Sequence, residues 1–296
     1  MKAAPFDYMR ATSIDEACRA LAEAGEDARI IAGGQTLVPL MAMRMARPTL
    51  LVDITGIAEL SGIDIDGDGD GDELVIKACT RQADGLASDI VRQSCPLLAE
   101  ALSHVGHTQT RNRGTVGGSL CNADPSAEIP LIVCTLDAIM VARSPNGERR
   151  IAADAFFDFA MTTALEPDEC LTEIRFPSWR GPGTGHGFHE VSIRDSDFAL
   201  AAAASQATLD GSGNCTRIHV AIGGASPTPM RLGPVEQALT GGDLSDGAIS
   251  DACAAILDLV EPQSDVHADA EYRRRVARVM AIRAIASARD AAGATR

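Results

Sequence analysis

Two short stretches carry the residue types from which a phosphate cradle is built: Ala32-Gly33-Gly34-Gln35-Thr36-Leu37 and Gly114-Thr115-Val116-Gly117-Gly118-Ser119. Glycine lets backbone N–H groups approach an anion closely, and the hydroxyls of Thr36 and Ser119 add donors. Acting together, the two could grip a pyrophosphate. Each taken alone is more often a plain structural turn following a strand. Neither matches GxGxxG or GxxxxGK[ST], and no acidic ribose-binding residue follows at the expected distance, which argues against a Rossmann or P-loop enzyme.

The other reactive residue types point to ordinary structure. His104 and His107, three apart at a helix end, read as polar surface without a carboxylate partner. The eight cysteines are scattered with no CxxC pair, which suits reduced, buried thiols rather than a disulfide framework, a metal cage or an iron–sulfur cluster. Cys121, within the second glycine-rich passage, is expected to be one of these buried thiols. Asp66-Gly67-Asp68-Gly69-Asp70-Gly71-Asp72 has the look of a calcium loop, but Val75 or Lys77 stands where the bidentate Glu belongs. Arg44 and Arg47 follow the first loop and suit a solvated face, a phosphate or a partner. No metal site is expected.

These residues need elements to position them. Ser13-Ile14-Asp15-Glu16 opens a helix with a capping-box pattern, Ala17, Leu21 and Ala24 recur at helical spacing, and Gly25 closes it. Ala28 to Ala32 and Thr49 to Ile54 read as strands, the first delivering the chain into Gly33-Gly34. Gly62 to Ile65 and Glu73 to Lys77 form a hairpin with an acidic tip. Residues 96–106 and Ala127 to Leu136 read as helices, with Pro96 in a permitted first-turn position. Phe176 to Gly185 is rich in Pro and Gly and reads as a linker. Beyond it, Phe198 to Leu209 and Thr216 to Gly223 are strands around a Gly211-Ser212-Gly213-Asn214 turn, and residues 246–260 and 269–292 are helical.

With 296 residues and 46% hydrophobic content the chain can build two modest domains. A formal charge of −15 argues against nucleic acid or an anionic membrane as partner. No run of eighteen apolar residues and no signal-like N-terminus occurs, so no membrane insertion and a cytoplasmic location are expected.

Four strings then occur in order: AGGQTLVPLMAMRMARPTLLVDI, IKACTRQAD, RNRGTVGGSLCNADPSAEIP and IRDSDFALAAAA. In these strings and their spacing, from about residue 3 to about residue 285, the chain resembles the FAD-binding medium subunits of the xanthine dehydrogenase and carbon monoxide dehydrogenase family of molybdenum hydroxylases. The resemblance implies an α+β fold. A vanillyl-alcohol-oxidase (PCMH)-type FAD-binding domain would span 1–176, with subdomains of about 1–56 and 57–176. A CO dehydrogenase flavoprotein C-terminal-like domain, a small antiparallel sheet covered by helices, would span 182–288.

Carried over by position, Ala32, Gly33, Gly34, Gln35, Thr36 and Leu37 would hold the FAD pyrophosphate, with Ile31 close to the cofactor. Thr115, Gly118 and Ser119 would complete the cradle, and Asn122 and Asp124 would reach ribityl or ribose hydroxyls. Leu171 matches the position where main chain passes near the ring. Asp197-Phe198-Ala199 matches the place where many relatives have Asp-Tyr-Ala beside the isoalloxazine. Phe198 loses the Tyr hydroxyl, and Ile193 replaces one of the usual paired arginines, leaving Arg194. The cysteine-rich insertion of 4-hydroxybenzoyl-CoA reductase flavoproteins is missing.

By the same resemblance the chain is an oxidoreductase subunit with no catalytic acid or base of its own. It would pass electrons from 2Fe–2S clusters through FAD to an external electron acceptor. A large molybdenum-cofactor subunit and a small iron–sulfur subunit would be its partners in a dimer of heterotrimers, with an N-heteroaromatic as a favoured substrate. The alternative is a stand-alone vanillyl-alcohol-oxidase-type FAD oxidase or dehydrogenase. Such an enzyme needs a substrate chamber, and an aromatic content of 3% leaves little to build one from.

Overall fold

A computed structural model describes residues 2–67, 71–194 and 196–294. The first elements are β1 (Asp7–Arg10), α1 (Ile14–Ala24), β2 (Ala28–Ile31), α2 (Leu37–Ala42) and β3 (Leu50–Asp53). α1 begins as its sequence predicts, with the Ser13 hydroxyl accepting from the Glu16 N–H at 3.2 Å. The Glu16 carboxylate reaches one residue further back than the standard box, accepting from the Thr12 N–H at 2.7 Å. Gly25, at φ 63, ends the helix in the left-handed region. The three strands form a parallel sheet in the order β1-β3-β2, whose crossovers are α1 and α2. Ala17, Cys18 and Leu21 of α1 close its core against Val52 and Ile54.

The middle of the chain runs through β4 (Ile63–Asp66), β5 (Glu73–Lys77), α3 (Gln82–Ala87), α4 (Asp89–Ser94), α5 (Pro96–His104), α6 (Thr108–Arg111), α7 (Val116–Asn122) and α8 (Glu128–Thr135). It continues through β6 (Ile139–Ser144), β7 (Gly147–Ala152), β8 (Phe157–Phe159), β9 (Thr162–Thr163) and β10 (Cys170–Pro177). An antiparallel sheet in the order β4-β5-β10-β6-β7 results, with the last strand in sequence at its centre. The β4–β5 hairpin is present, and Asp68, Gly69 and Asp70 of its acidic tip lie outside the described residues. The flanking carboxylates have arginine partners: Asp66 meets Arg175 at 2.7 Å and Asp72 meets Arg180 at 2.7 Å.

The remainder is β11 (Thr184–Ser192), β12 (Ala199–Leu209), β13 (Cys215–Gly223), β14 (Met230–Arg231), α9 (Gly233–Leu239), α10 (Asp246–Ala252), α11 (Ile256–Leu259) and α12 (Ala270–Ala294). The strands pair antiparallel in chain order, and α12 lies across β11 and β12. β11 begins inside the stretch read as a linker, so the connection shrinks to 178–183. Gly185, the last residue of that stretch, and Gly187 beyond it sit where a Cβ would strike the backbone of α12, at Ala288 and Ala284. The expected helix over 246–260 is interrupted by a tighter turn at Cys253–Ala255.

A large core joins the central sheet, α5 and α8 to the inner face of the C-terminal sheet, where Phe188, Ala199, Ala202, Ala204 and Ala221 meet Leu98, Leu102 and Leu131. A second core fills the space between β12, β13 and α12, with alanines on both sides. No helix among the described residues is long and apolar enough to cross a membrane.

Candidate cofactor-binding site

The two glycine stretches meet in space. β2 delivers the chain through half-buried Ile31 and Ala32 into Gly33 and Gly34, the latter at φ 70, before α2 begins at Leu37. A Cβ on Gly33 would lie 2.5 Å from the Arg113 carbonyl oxygen and 2.8 Å from the Gly114 Cα, so the two backbones touch. The Gln35 amide folds back onto the Gly33 carbonyl at 3.1 Å. Among the described residues, the N–H groups of Gly33, Gly34, Gln35, Thr36 and Leu37 donate to no protein acceptor, and the Thr36 side chain makes no capping bond. A run of unsatisfied donors beside a close backbone contact fits an anionic group such as a diphosphate.

The second stretch is less a loop than its glycines suggest. Thr115 starts α7 by accepting from the Gly118 N–H at 3.0 Å, so Gly117, Gly118, Ser119 and Asn122 are helical. Gly117 has a packing role, since a Cβ there would lie 2.6 Å from the Ala78 Cβ and 2.7 Å from its carbonyl oxygen. The Gly117 N–H donates to Ala78 at 2.9 Å and the Val116 N–H to Thr80 at 3.0 Å, which fixes α7 against the segment following β5. Ser119 is half-buried and Gly118 faces its own cap, where a Cβ would sit 2.6 Å from Thr115 Oγ1.

Further along, the Asn122 side chain makes only a 3.9 Å contact to the Met161 sulfur among the described residues. Asp124 accepts from the Ser126 N–H at 2.9 Å, and burial raises its carboxyl above the usual range. The Pro125 carbonyl accepts from the Gly224 N–H at 2.7 Å, and a Cβ on Gly224 would lie 3.1 Å from the Ala199 carbonyl oxygen. The start of β12, with Asp197 and Phe198 before it, is thus linked through Gly224 to Pro125, six residues beyond the second stretch. Phe198 is 69% exposed, while Asp197 accepts from Arg194 at 2.9 Å. Leu171 is buried in the central core at a register slip of β10, where it pairs with Ala142 of β6 and its carbonyl accepts from the Cys170 thiol at 3.6 Å.

Three features escaped the sequence reading. Glu128, the first residue of α8, has its carboxyl pushed up to about 7, mainly by burial and further by Glu190. Its signal was an acid opening a helix that is apolar on every side, which forces the acid inward too. His104 does have a carboxylate: its Nδ1 lies 3.2 Å from Glu190 Oε1, which raises the imidazole. One helical turn back, Glu100 lies 3.7 Å from His186, so α5 and β11 exchange Glu and His in reciprocal order around Phe188. The partner comes from a distant strand, which no local spacing reveals. Finally, Cys121 is exposed while the other seven cysteines are buried, because α7 turns it away from the face that packs on Ala78.

Residues 4–179 match the family model described as "FAD binding domain in molybdopterin dehydrogenase", and residues 186–288 match "CO dehydrogenase flavoprotein C-terminal domain". The chain is 39% identical to the 6-hydroxypseudooxynicotine dehydrogenase complex subunit alpha of Paenarthrobacter nicotinovorans, over 100% of this chain and 98% of the relative. It is 38% identical to the caffeine dehydrogenase subunit beta of a Pseudomonas species, over 98% and 97% of the two chains. Among solved structures, reconstituted CO dehydrogenase from Oligotropha carboxidovorans superposes with a TM-score of 0.94 at 35% identity, covering 98% of this chain and 100% of that one.

Proposed function

Since this chain belongs to the FAD-binding medium subunits of the carbon monoxide dehydrogenase and xanthine dehydrogenase family of molybdenum hydroxylases, we propose that it grips FAD between its two glycine stretches and relays electrons within a larger complex. The observation that carries this reading is the contact of the Gly33 backbone with Arg113 and Gly114 beside the free N–H groups of residues 33–37. Ala32 to Leu37 would hold the pyrophosphate with Ile31 close to the cofactor, and Thr115, Gly118 and Ser119 would close the cradle. Asn122 and Asp124 bond the sugar-chain hydroxyls. The Leu171 main chain and Asp197-Phe198 border the ring. When bound in this cradle, FAD would supply the redox chemistry through which the subunit relays electrons between iron–sulfur clusters and an external acceptor.

The protein's contribution is positional. The cradle fixes the cofactor, α7 braces the cradle against residues 78–80, and the turn before β12 covers one side. We assign 1–176 to the FAD-binding domain, with subdomains near 1–56 and 57–176, and 182–288 to the C-terminal domain. The partners are a large molybdenum-cofactor subunit and a small 2Fe–2S subunit, arranged as a cytoplasmic dimer of heterotrimers. Relatives named for caffeine and for 6-hydroxypseudooxynicotine support a nitrogen heterocycle or a related alkaloid as the substrate of the assembly.

Native purification with flavin, iron and molybdenum analysis tests this reading. The expected product is a complex of three different chains with FAD on this one. A single polypeptide with steady turnover of its own would favour the stand-alone oxidase instead.

A further inference from the structure

Arginine and aromatic side chains gather at one corner of the N-terminal sheet. β1 is an edge strand, hydrogen-bonded to β3 on one side and, among the described residues, to no strand on the other. The segment after α2 folds alongside it: the Asp7 N–H donates to the Thr49 carbonyl at 2.7 Å, and Arg44 Nε donates to the Lys2 carbonyl at 3.2 Å. Phe6, Tyr8, Met43 and Met45 are all exposed on this corner, Met45 to 74%. Val38, on the first turn of α2, extends the apolar surface toward the glycine cradle and is exposed as well.

Charge sets this corner apart from the rest of the molecule. The chain holds 41 acidic residues, yet residues 28–52 contain none. Lys2, Arg44 and Arg47 are exposed, and among the described residues none of them forms an ion pair, whereas Arg10 lies in the field of the Asp53 carboxylate. Arg44 also adopts φ 60, a left-handed conformation that costs a non-glycine residue energy and turns Met43 and Met45 outward on either side of it.

Water leaves exposed methionine and phenylalanine without compensation, and a strongly acidic chain would ordinarily neutralise its own arginines. A surface of Met, Phe, Tyr and Arg with few acids has the composition of a protein–protein interface core rather than of free surface. We propose that this corner is the docking face for a partner subunit that presents acidic side chains around an apolar centre. This rests on the reading of the chain as one subunit of a complex. The unpaired cations orient the partner, the methionines adapt to its apolar surface, and the free edge of β1 offers main-chain donors and acceptors.

The test uses the complex expressed with all its subunits, comparing wild type with two double variants, Arg44→Glu/Arg47→Glu and Met43→Ser/Met45→Ser. All four positions are at the surface, so the fold tolerates them. Size-exclusion chromatography and native mass spectrometry at low and high salt measure retention of the partner, and absorbance measures flavin. Both variants are expected to hold the partner about tenfold or more weakly with flavin content unchanged, and wild-type retention is expected to fall with salt. Full retention of the partner by both variants would overturn the proposal while leaving FAD binding intact. Loss of flavin from the arginine variant would overturn it by reassigning those cations to the cofactor phosphates. Self-association of the isolated wild-type chain that both variants abolish would also overturn it, by making a second copy the occupant. Absence of flavin from wild type would defeat the underlying functional reading rather than the docking face.

Discussion

Close-packed glycines occur in two regions of this molecule with opposite consequences. At Gly33 the backbone lies against Arg113 and Gly114, and among the described residues the following N–H groups have no protein acceptor. At Gly185 and Gly187 the backbone of β11 lies equally close to α12, but there β11 is fully paired with β12 and alanines fill the space. The same residue type, used for the same reason, leaves open donors for the proposed cradle in one place and a packed core in the other. Close approach marks a binding site only where donors remain unsatisfied beside it.

Substitutions can break that contrast. Gly33→Val should have the largest effect: its side chain must separate the two stretches, and FAD affinity should fall at least about 100-fold, near 2.7 kcal/mol. Flavin fluorescence titration checks this, and normal affinity would remove the cradle from consideration. Gly187→Val should act on the other side, lowering unfolding stability by about 1–3 kcal/mol or more through overpacking against Ala284. Its folded fraction should keep a wild-type flavin ratio in a chemical-denaturation series. A flavin loss equal to that of the Gly33 variant would erase the distinction.

A third, smaller effect depends on pH. The Glu128 carboxyl sits at about 7 in the folded chain against an ordinary 4.5, so the native state holds a proton that the unfolded chain releases. Its contribution to stability is present below the lower value and is lost as pH rises toward the higher one. His104, raised by Glu190, adds a loss that begins above the ordinary imidazole value of 6.5. Glu128→Gln should therefore flatten the stability profile between those two carboxyl values and leave the decline above it. An unchanged profile would show that the carboxyl is not buried. Smallest of all, Thr115→Ala should cost about 1 kcal/mol by removing the cap of α7, visible as a modest drop in melting temperature.

Much of this was legible from local pattern. The capped start of α1, the β4–β5 hairpin and the strand pair around residues 211–214 follow from side-chain periodicity and turn chemistry, which act over a few residues. β1 and β11 were not legible. β1 has four mostly exposed residues, and β11 carries glycines that mimic a linker until α12 is laid over them. The second glycine stretch misled in the same way, because Thr115 turns a loop-like composition into a helix.

The order of motifs along the chain was enough to identify the family and the candidate cradle residues, since those depend on residue identity and spacing. That Gly33 touches Arg113, that β10 enters the middle of its sheet, and that Glu190 reaches His104 required the folded chain. Each joins segments far apart in sequence. Such contacts are decided by how whole elements pack and exclude water, and no short window of residues encodes that.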